Sequence, residues 1–353
     1  MNSPSEPQSL TTEERYQIRL ATPMDAAELL EIYEADDFAG DFSVSYTRRP
    51  DPYSSLAAEG DRLVAPVVVD HLEGHIAGMG ACIIRDGYIS GEVRSIGYLT
   101  GLKGRPEYRR GVPLIPQVYD FLRDHSSEVA CYYTAILASN RLTLRMLGRD
   151  HPGMPHYQRV GVYTTTILGA GASIPDGSRA LVPVELRAVG TTRGDLAATS
   201  LDAPGGSAQG WQLLDVSGRP VAGCALWRQH HKQYVVTGVS DEMQAALANV
   251  PGLPPLPKIG QPVRHASVAG LWAHDLDAAR DLLRHLAAVT ADVDYLFAGF
   301  LDTHPLAACV EGLPAFSYDS VLFTVHWDWP PAAGRPGQLE VDPATVDVPV
   351  GLL

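Results

Sequence analysis

An internal repeat is the feature of this sequence that most constrains its fold. The segments VVVDHLEGHIAGMGACII and LLDVSGRPVAGCALW each contain an aspartate that is followed, seven and eight residues later, by an Ala-Gly pair. The two sets are Asp70, Ala77 and Gly78, and Asp215, Ala222 and Gly223. Apolar runs on both sides of a Gly-containing turn are typical of β-hairpins, so each segment predicts one hairpin.

The ends of the two halves also correspond. Residues 130–168 and 293–327 both run strand, polar break, helix, Gly/Pro turn, tyrosine and strand. Self-similarity at this scale predicts two similarly ordered domains, each built on a mixed sheet. The alternative is chance similarity between short hairpins, because short motifs match easily.

The length of the chain agrees with two domains. A chain of 353 residues is too long for one ordinary core, and its 45% hydrophobic and 19% charged residues are typical of globular proteins. The predicted parts, in order, are a disordered tail at 1–14, an N-terminal domain at 15–168, a Gly/Ala/Ser-rich linker at 169–180, a second domain at 181–328 and an extended surface tail at 329–353.

Charge and composition limit the partners of the chain. A formal net charge of −14 argues against a nucleic acid, whose binding needs clustered Lys and Arg, and it is compatible with a cationic amine. No apolar run approaches the ~18 residues that span a bilayer, and the N-terminus lacks a secretion pattern, so we expect a cytoplasmic protein without a membrane span. The four cysteines form no CxxC pair, so neither a metal site nor a disulfide is expected.

The predicted elements of the first half have a definite order. A strand at Tyr16–Leu20 precedes a helix that begins near Pro23. Three strands follow within residues 62–103, then a helix near 112–125, then a strand, a helix and a strand. The apolar face of the first helix consists of Ala26, Leu29, Leu30 and Tyr33.

Two motifs carry a resemblance to a known family. The first is GYLTGLKGRPEYRRGVPLIPQVYDFL, from Gly97 to Leu122, and the second is LASNRLTLRMLG. With the element order above, they resemble the GCN5-related N-acetyltransferase (GNAT) superfamily over residues 15–170. The second half matches in layout only. The resemblance therefore implies an α/β (α+β mixed-sheet) fold with two GNAT-like domains in tandem, the second of them degenerate.

A phosphate-binding loop is expected between the central strand and its helix. A strand that opens into a helix N-terminus gathers unpaired backbone N–H groups, which favour a pyrophosphate. Arg109 and Arg110 add positive charge there, Gly111 permits close approach of the backbone, and Val112 continues the loop. The resemblance implies binding of coenzyme A at this loop, although Tyr108, Gly111 and Pro113 depart from the family pattern. The alternative is a tight turn with solvated arginines.

Acyl transfer to an amine needs a group that holds the thioester and a group that takes the amine proton. By resemblance, the backbone at Leu102, Lys103 and Gly104 holds the thioester of acetyl-CoA or another acyl-CoA. Glu92 is the nearest carboxylate in sequence and the candidate base, with Tyr98 as a group that positions water. Glu92 could equally be a solvent-facing strand residue.

The general acid of the family pattern is missing. The resemblance places a tyrosine seven residues after Asn140, where this chain has Leu147. Either Tyr108, Tyr157 or Tyr163 replaces it, or the thiolate leaves without help, or there is no catalysis. Asn140 itself is expected to bind the pantetheine arm or to cap the next helix.

Acidic residues follow the first helix, where the resemblance implies one wall of the acceptor site. They are Glu34, Asp36, Asp37 and Asp41. They would hold a cationic amine, or they form a solvated loop.

Two functions remain open: an N-acyltransferase that uses an acyl-CoA and a small-molecule or peptide amine without a metal, and a noncatalytic acyl-CoA-binding or protein-interaction module. The sequence leaves open whether the chain forms a homo-oligomer.

Overall fold

The computed structural model of the chain describes residues 12–35, 42–108, 114–149, 151–171, 179–190, 192–248, 250–328 and 339–353. The strands are β1 (Tyr16–Leu20), β2 (Phe42–Thr47), β3 (Arg62–Val64), β4 (Pro66–Asp70), β5 (His75–Ile89), β6 (Glu92–Gly104), β7 (Cys131–Leu137), β8 (His156–Gly169), β9 (Ala180–Val184), β10 (Gly206–Leu214), β11 (Pro220–Gln229), β12 (Gln233–Val239), β13 (His265–Ala273), β14 (Tyr295–Leu301) and β15 (Ala315–His326). The helices are α1 (Thr12–Arg15), α2 (Ala26–Glu34), α3 (Pro52–Ala57), α4 (Ile115–Asp124), α5 (Arg141–Leu147), α6 (Leu186–Val189), α7 (Asp241–Ala248) and α8 (Leu276–Val289).

One mixed sheet contains every strand named above except β2 and β12. Its order is β1-β4-β5-β6-β7-β15-β8-β14-β13-β11-β10-β9, with β3 beside β5. The two edges of the sheet are built in the same order. Starting from one edge, the strands are β1, β4, β5, β6 and β7, and their counterparts from the other edge are β9, β10, β11, β13 and β14. The pairs β6–β7 and β13–β14 are parallel, and the other neighbours are antiparallel. The predicted mixed-sheet fold with two similarly ordered halves is therefore confirmed.

The two halves exchange their last strands. β15, from the end of the second half, pairs with β7 and β8. β8, from the end of the first half, pairs with β14. The exchange gives each half a strand at an edge that would otherwise expose unpaired backbone groups. As a result, the segments 15–168 and 181–328 share one continuous sheet.

The repeated aspartates occupy equivalent hairpins, β4–β5 and β10–β11. The carboxylate of Asp70 accepts the N–H of Leu72 at 2.9 Å, and that of Asp215 accepts the N–H of Ser217 at 2.8 Å. A short carboxylate that bonds its own backbone two residues on is a common way to shape a turn. Asp70 also binds Arg15 of α1, with the shorter contact at 2.7 Å. This pair anchors residues 12–14, which form a helical turn where a disordered tail was expected.

Helices cover one face of the sheet in both halves. Val118 and Leu122 of α4 are buried against the first half, and Leu282 and Leu286 of α8 are buried in the second. Spacings of four residues place such side chains on one helical face. Pro116 lies in the first turn of α4, where its missing N–H breaks no helical hydrogen bond.

The opposite face carries α2, α3 and the end of the chain. Residues 339–353 were expected to run over the surface, but Val346, Val348 and Val350 are buried in the main core. The apolar residues alternate there, so one side of an extended segment faces the protein. The Tyr163 hydroxyl of β8 donates to the carbonyl oxygen of Val348 at 2.9 Å. The surface-tail prediction was therefore wrong for these residues.

A second, two-stranded sheet joins the halves on this same face. β2, which comes after α2 in the chain, pairs antiparallel with β12 of the second half, and Tyr46 lies opposite Tyr234. The second half thereby supplies part of the wall beside α2. No helix in the described part of the chain is long and apolar enough to cross a membrane.

Candidate functional site

The central strands of the first half separate partway along their length. β6 and β7 pair through Ile96–Tyr98 and Cys131–Tyr133 and then diverge. The Thr134 hydroxyl donates to the carbonyl oxygen of Leu99 at 2.7 Å, just above the last pair. Beyond this point the two strands form a V-shaped gap.

A bulge in β6 lies at this gap. The pairing with β5 shifts register between Met79 and Ala81, opposite Thr100–Lys103, and Gly101 has a φ of 63°. That conformation is strained for residues that carry a Cβ. Lys103 and Gly104 pair with β5 on one side, and within the described residues β7 does not pair with them on the other. The predicted thioester-holding segment Leu102–Gly104 therefore presents its free edge to the gap.

The first turn of α4 lies near the same end of the sheet. The N-cap residue of this helix is Leu114, whose apolar side chain makes no capping hydrogen bond. Uncapped N–H groups at a helix start favour an anion. The predicted phosphate ligands Arg109, Arg110, Gly111 and Val112 lie outside the described residues, as does Pro113.

The second half repeats the gap, but its neighbouring helix has a side-chain cap. β13 and β14 pair through His265–Ser267 and Tyr295–Phe297, and Gly270 has a φ of 58° in an equivalent bulge. The connection from β13 to α8 is short, and the Asp275 carboxylate accepts the N–H of Ala278 at 2.7 Å. A carboxylate at this helix start occupies the place where a phosphate would bind and repels it. The second copy is therefore degenerate at its phosphate site.

Tyr33 of α2 faces the bulge in the first half. A Cβ built on Gly101 would lie 2.6 Å from the Tyr33 hydroxyl oxygen. Lys103 donates from Nζ to the Tyr33 carbonyl oxygen at 2.8 Å and lies 5.4 Å from the ring centroid. The sequence had indicated only that Tyr33 belongs to an apolar helix face, and the side chain is 1% exposed.

A buried ion pair lies beside the Tyr33 ring. Arg48 and Glu59 are 2.8 Å apart and almost fully buried, and Arg48 lies 5.9 Å from the Tyr33 ring centroid. Lys232 of the second half lies 3.9 Å from the Glu59 carboxylate. Burial opposes ionisation of Glu59, but Arg48 and Lys232 outweigh it and hold the pKa of the carboxyl well below its usual range. At Lys232, burial lowers the pKa more than the negative charge of Glu59 raises it, and the pKa falls to about 8.

Glu92 lies far from this gap. It starts β6 opposite Ile89, twelve positions before Gly104, so the distance along the strand is ~40 Å. Its carboxylate is exposed and pairs with Arg94. The position that the sequence suggested for a base is therefore the wrong end of the strand, because only the end of β6 reaches the gap.

Tyr98 lies at the base of the gap. It belongs to the last residue pair between β6 and β7, and its ring lies 5.1 Å from that of Tyr133. Burial raises the pKa of Tyr98, so its phenol stays neutral. Tyr98 therefore lies where the gap begins, nearer to Leu102–Gly104 than Glu92 does.

The three tyrosines suggested as replacement acids are all engaged elsewhere. Tyr108 donates to Asp70 at 2.9 Å and contacts His75 at 2.7 Å. The hydroxyls of Tyr157 and Tyr119 bond each other, and Tyr163 bonds Val348. Their hydroxyls therefore make hydrogen bonds within the fold.

Asn140 follows the end of β7. Its side chain caps α5 by accepting the N–H of Thr143 at 3.1 Å. Leu147, where the resemblance implied a tyrosine, is buried at the end of α5. The carboxyl ends of parallel strands meet at one edge, so Asn140 lies on the same side of the sheet as Gly104.

Glu34 was expected to line the acceptor wall. Its carboxylate accepts two hydrogen bonds from Arg49, at 2.8 and 2.6 Å, and one from the Thr47 hydroxyl. These partners tie the end of α2 to β2. Asp36, Asp37 and Asp41 lie outside the described residues. Within the part of the chain that the structure describes, no group of three or more His, Cys, Asp or Glu side chains could hold a metal ion.

Several solved structures are similar to this chain in fold. A tandem GNAT protein from the clavulanic acid biosynthesis pathway matches 89% of this chain and 99% of its own, with a TM-score of 0.54 and 12% identity. A GCN5-related N-acetyltransferase from Sphaerobacter thermophilus matches 94% and 99%, with a TM-score of 0.52 and 12% identity. N-myristoyltransferase from Saccharomyces cerevisiae, with bound myristoyl-CoA, matches 94% and 88%, with a TM-score of 0.53 and 8% identity.

No family model and no curated protein sequence matches the chain. The likeness is therefore one of fold. It confirms the tandem GNAT fold that the two sequence motifs predicted.

Proposed function

We propose that this protein is an acyl-CoA-dependent N-acyltransferase whose active site is the gap between β6 and β7. The observation that carries the proposal is the contrast between the halves. Among the described residues, the first gap has a free strand edge, a glycine bulge and an apolar N-cap residue at the helix start, whereas the Asp275 carboxylate caps the helix start of the second. The fold neighbours support a transferase, and two of the solved proteins are named as GNAT proteins.

Binding of the acyl-CoA would divide between two parts of the first half. Arg109, Arg110, Gly111 and Val112, with the first N–H groups of α4, would hold the pyrophosphate. The free edge at Leu102–Gly104 would hold the pantetheine and the thioester by backbone hydrogen bonds, and Asn140 would contact the arm from the side of β7.

Positioning is the main contribution of this site. Backbone donors aimed at the thioester carbonyl would stabilise the negative charge that develops on its oxygen when the amine attacks. Holding amine and thioester together supplies much of the acceleration, because the reaction becomes effectively unimolecular. Tyr98, at the base of the gap, would limit how deeply the acyl group enters.

The acceptor is proposed to be a small-molecule or peptide amine. Asp36, Asp37 and Asp41 follow α2, whose Tyr33 faces the gap, and with Glu34 they would attract a cationic amine through the field of the acidic protein. Such a reaction uses the acyl-CoA as co-substrate and needs no metal. We propose a cytoplasmic location, where acyl-CoA is supplied.

Thiol release tests this proposal. Purified protein is incubated with acyl-CoAs from acetyl to myristoyl and a panel of amines and peptides, and free thiol is measured at steady state. We expect amine-dependent release with at least one pair. Stabilisation by acyl-CoA without thiol release for any amine would instead identify a noncatalytic binding protein. If the protein shows neither stabilisation nor thiol release, both the acyltransferase and the binding function are refuted.

A further inference from the structure

The Tyr33 hydroxyl is a buried polar group beside the bulge of β6. The side chain is 1% exposed, and among the described residues its hydroxyl makes no hydrogen bond of normal geometry, although the Arg48 guanidinium is close enough to interact with it. An unsatisfied buried hydroxyl is destabilising, so one that lies beside a candidate site calls for an explanation. Phenylalanine would fill the same space without that cost.

This hydroxyl is close to the proposed site of reaction. It lies against Gly101, beside the segment that holds the thioester, and a Cβ there would approach to 2.6 Å. The glycine therefore leaves room for the hydroxyl at the bulge. Tyr33 projects from α2, which packs on the face of the sheet that also carries Tyr98.

The second half provides an internal comparison. Trp272 donates to the carbonyl oxygen of Val189 at the end of α6, as Lys103 donates to that of Tyr33 near the end of α2. A Cβ built on Gly270 would lie 2.6 Å from Cδ2 of Leu201. A methyl group thus occupies the place of the hydroxyl in the half whose phosphate site is closed. The hydroxyl is a feature of the open half.

Two cations lie close to the Tyr33 ring. Arg48 is held in place by Glu59, and the Lys103 ammonium lies 5.4 Å from the ring centroid. Burial raises the pKa of Tyr33 and Arg48 partly offsets this, so the phenol is protonated at neutral pH. A transient tyrosinate would be stabilised by both positive charges.

From this geometry we infer that Tyr33 is the general acid of the proposed acyl transfer, which donates its proton to the leaving thiolate. The inference rests on the proposed function. The amine nitrogen forms a bond to the acyl carbon, and the carbon–sulfur bond breaks with its electron pair on sulfur. The sulfur takes the phenolic proton of Tyr33. The tyrosinate then takes the proton that the acylated nitrogen loses, so the net result is an amide, a thiol and an unchanged Tyr33.

The variant Tyr33→Phe tests this role, with Tyr163→Phe as its matched control. Both residues are buried tyrosines, but Tyr163 donates to Val348 and lies away from the gap. Loss of a general acid should lower kcat of Tyr33→Phe by about 10²–10⁴-fold, while KM and the thermal shift caused by acetyl-CoA stay the same. Its melting temperature without ligand should stay equal or rise, because an unpaired hydroxyl is removed.

Tyr163→Phe should show the opposite pattern, with a lower melting temperature and unchanged kcat. An active wild-type protein whose kcat survives Tyr33→Phe would overturn the inference and leave the proposed function standing. A Tyr33→Phe protein that no longer folds would also overturn it, because the hydroxyl would then be structural. If the wild type releases no thiol with any acyl-CoA and amine, the proposed function fails and the inference fails with it.

Discussion

The two bulge glycines offer a matched pair of substitutions. Gly101 and Gly270 have φ values of 63° and 58°, and at each a new Cβ would meet the end of a side chain at 2.6 Å. Alanine in the left-handed region costs ~1–2 kcal/mol, so Gly101→Ala and Gly270→Ala should destabilise the protein about equally. For a chain of this size we expect melting temperatures lower by roughly a few degrees in both variants.

Activity should separate the two variants. The Cβ of Gly101→Ala would displace the Tyr33 hydroxyl and the strand edge that holds the thioester, and a misplacement of about 1 Å in a reacting geometry costs ~10²-fold in rate. Gly270→Ala, in the second half, should keep kcat/KM within about twofold of the wild type, as expected of changes outside a site.

The assay is steady-state thiol release per folded molecule, measured well below both melting temperatures. Circular dichroism confirms that the compared samples are folded. Equal losses of activity in the two variants would show that activity depends on the stability of the protein and not on which gap carries the substitution. A loss confined to Gly270→Ala would place the active site in the second half. Either result would refute the assignment of the first gap.

Three further predictions follow from the same contacts. Replacing Arg109 and Arg110 by alanine should weaken acyl-CoA binding most at low ionic strength, measured by titration calorimetry, because salt screens phosphate contacts; equal weakening at all salt concentrations would contradict this. Asp275→Ala should lower stability by ~1 kcal/mol in urea unfolding through loss of a helix cap, with kcat unchanged. Burial raises the pKa of Asp347 to about 6, with Thr192 partly opposing, so its contribution to stability is present below its unfolded pKa and is lost as pH rises through about 6. Asp347→Asn should therefore match the wild-type melting temperature near pH 4 and exceed it above pH 6.5; an equal difference at both pH values would contradict the assignment.

The sequence predicted the element order because apolar periodicity and turn residues are local signals. The strand at Tyr16–Leu20, the first helix and the hairpins around Asp70 and Asp215 were all readable in this way. The exchange of β8 and β15 was not, because either strand has the right pattern to pair with β7. Which strand fills that place depends on contacts between residues far apart in the chain.

The site shows the same limit. The motif around Gly101 was readable from the sequence, but Tyr33 looked like one more apolar residue on the first helix. The interest of its hydroxyl comes from its burial and from its distance to Gly101, which only the structure shows. Glu92 failed as a candidate base for a different reason. It is near the gap residues in sequence, but each residue of an extended strand adds about 3.3 Å, so it lies far from them in space.

The buried tail was missed because the five prolines and three glycines of residues 329–353 are typical of irregular surface segments. The alternation of Val346, Val348 and Val350 was the available signal, and it is short. Packing of this segment against β8 depends again on the exchange of strands.

A crystal structure of the protein with a nonreactive acyl-CoA analogue would test the central claim most directly. We predict the pyrophosphate at the start of α4 and the acyl carbonyl between the Leu102–Gly104 edge and the Tyr33 hydroxyl, with the second gap still closed by Asp275 and Leu201. An analogue bound in the gap between β13 and β14, or bound away from both gaps, would contradict the account.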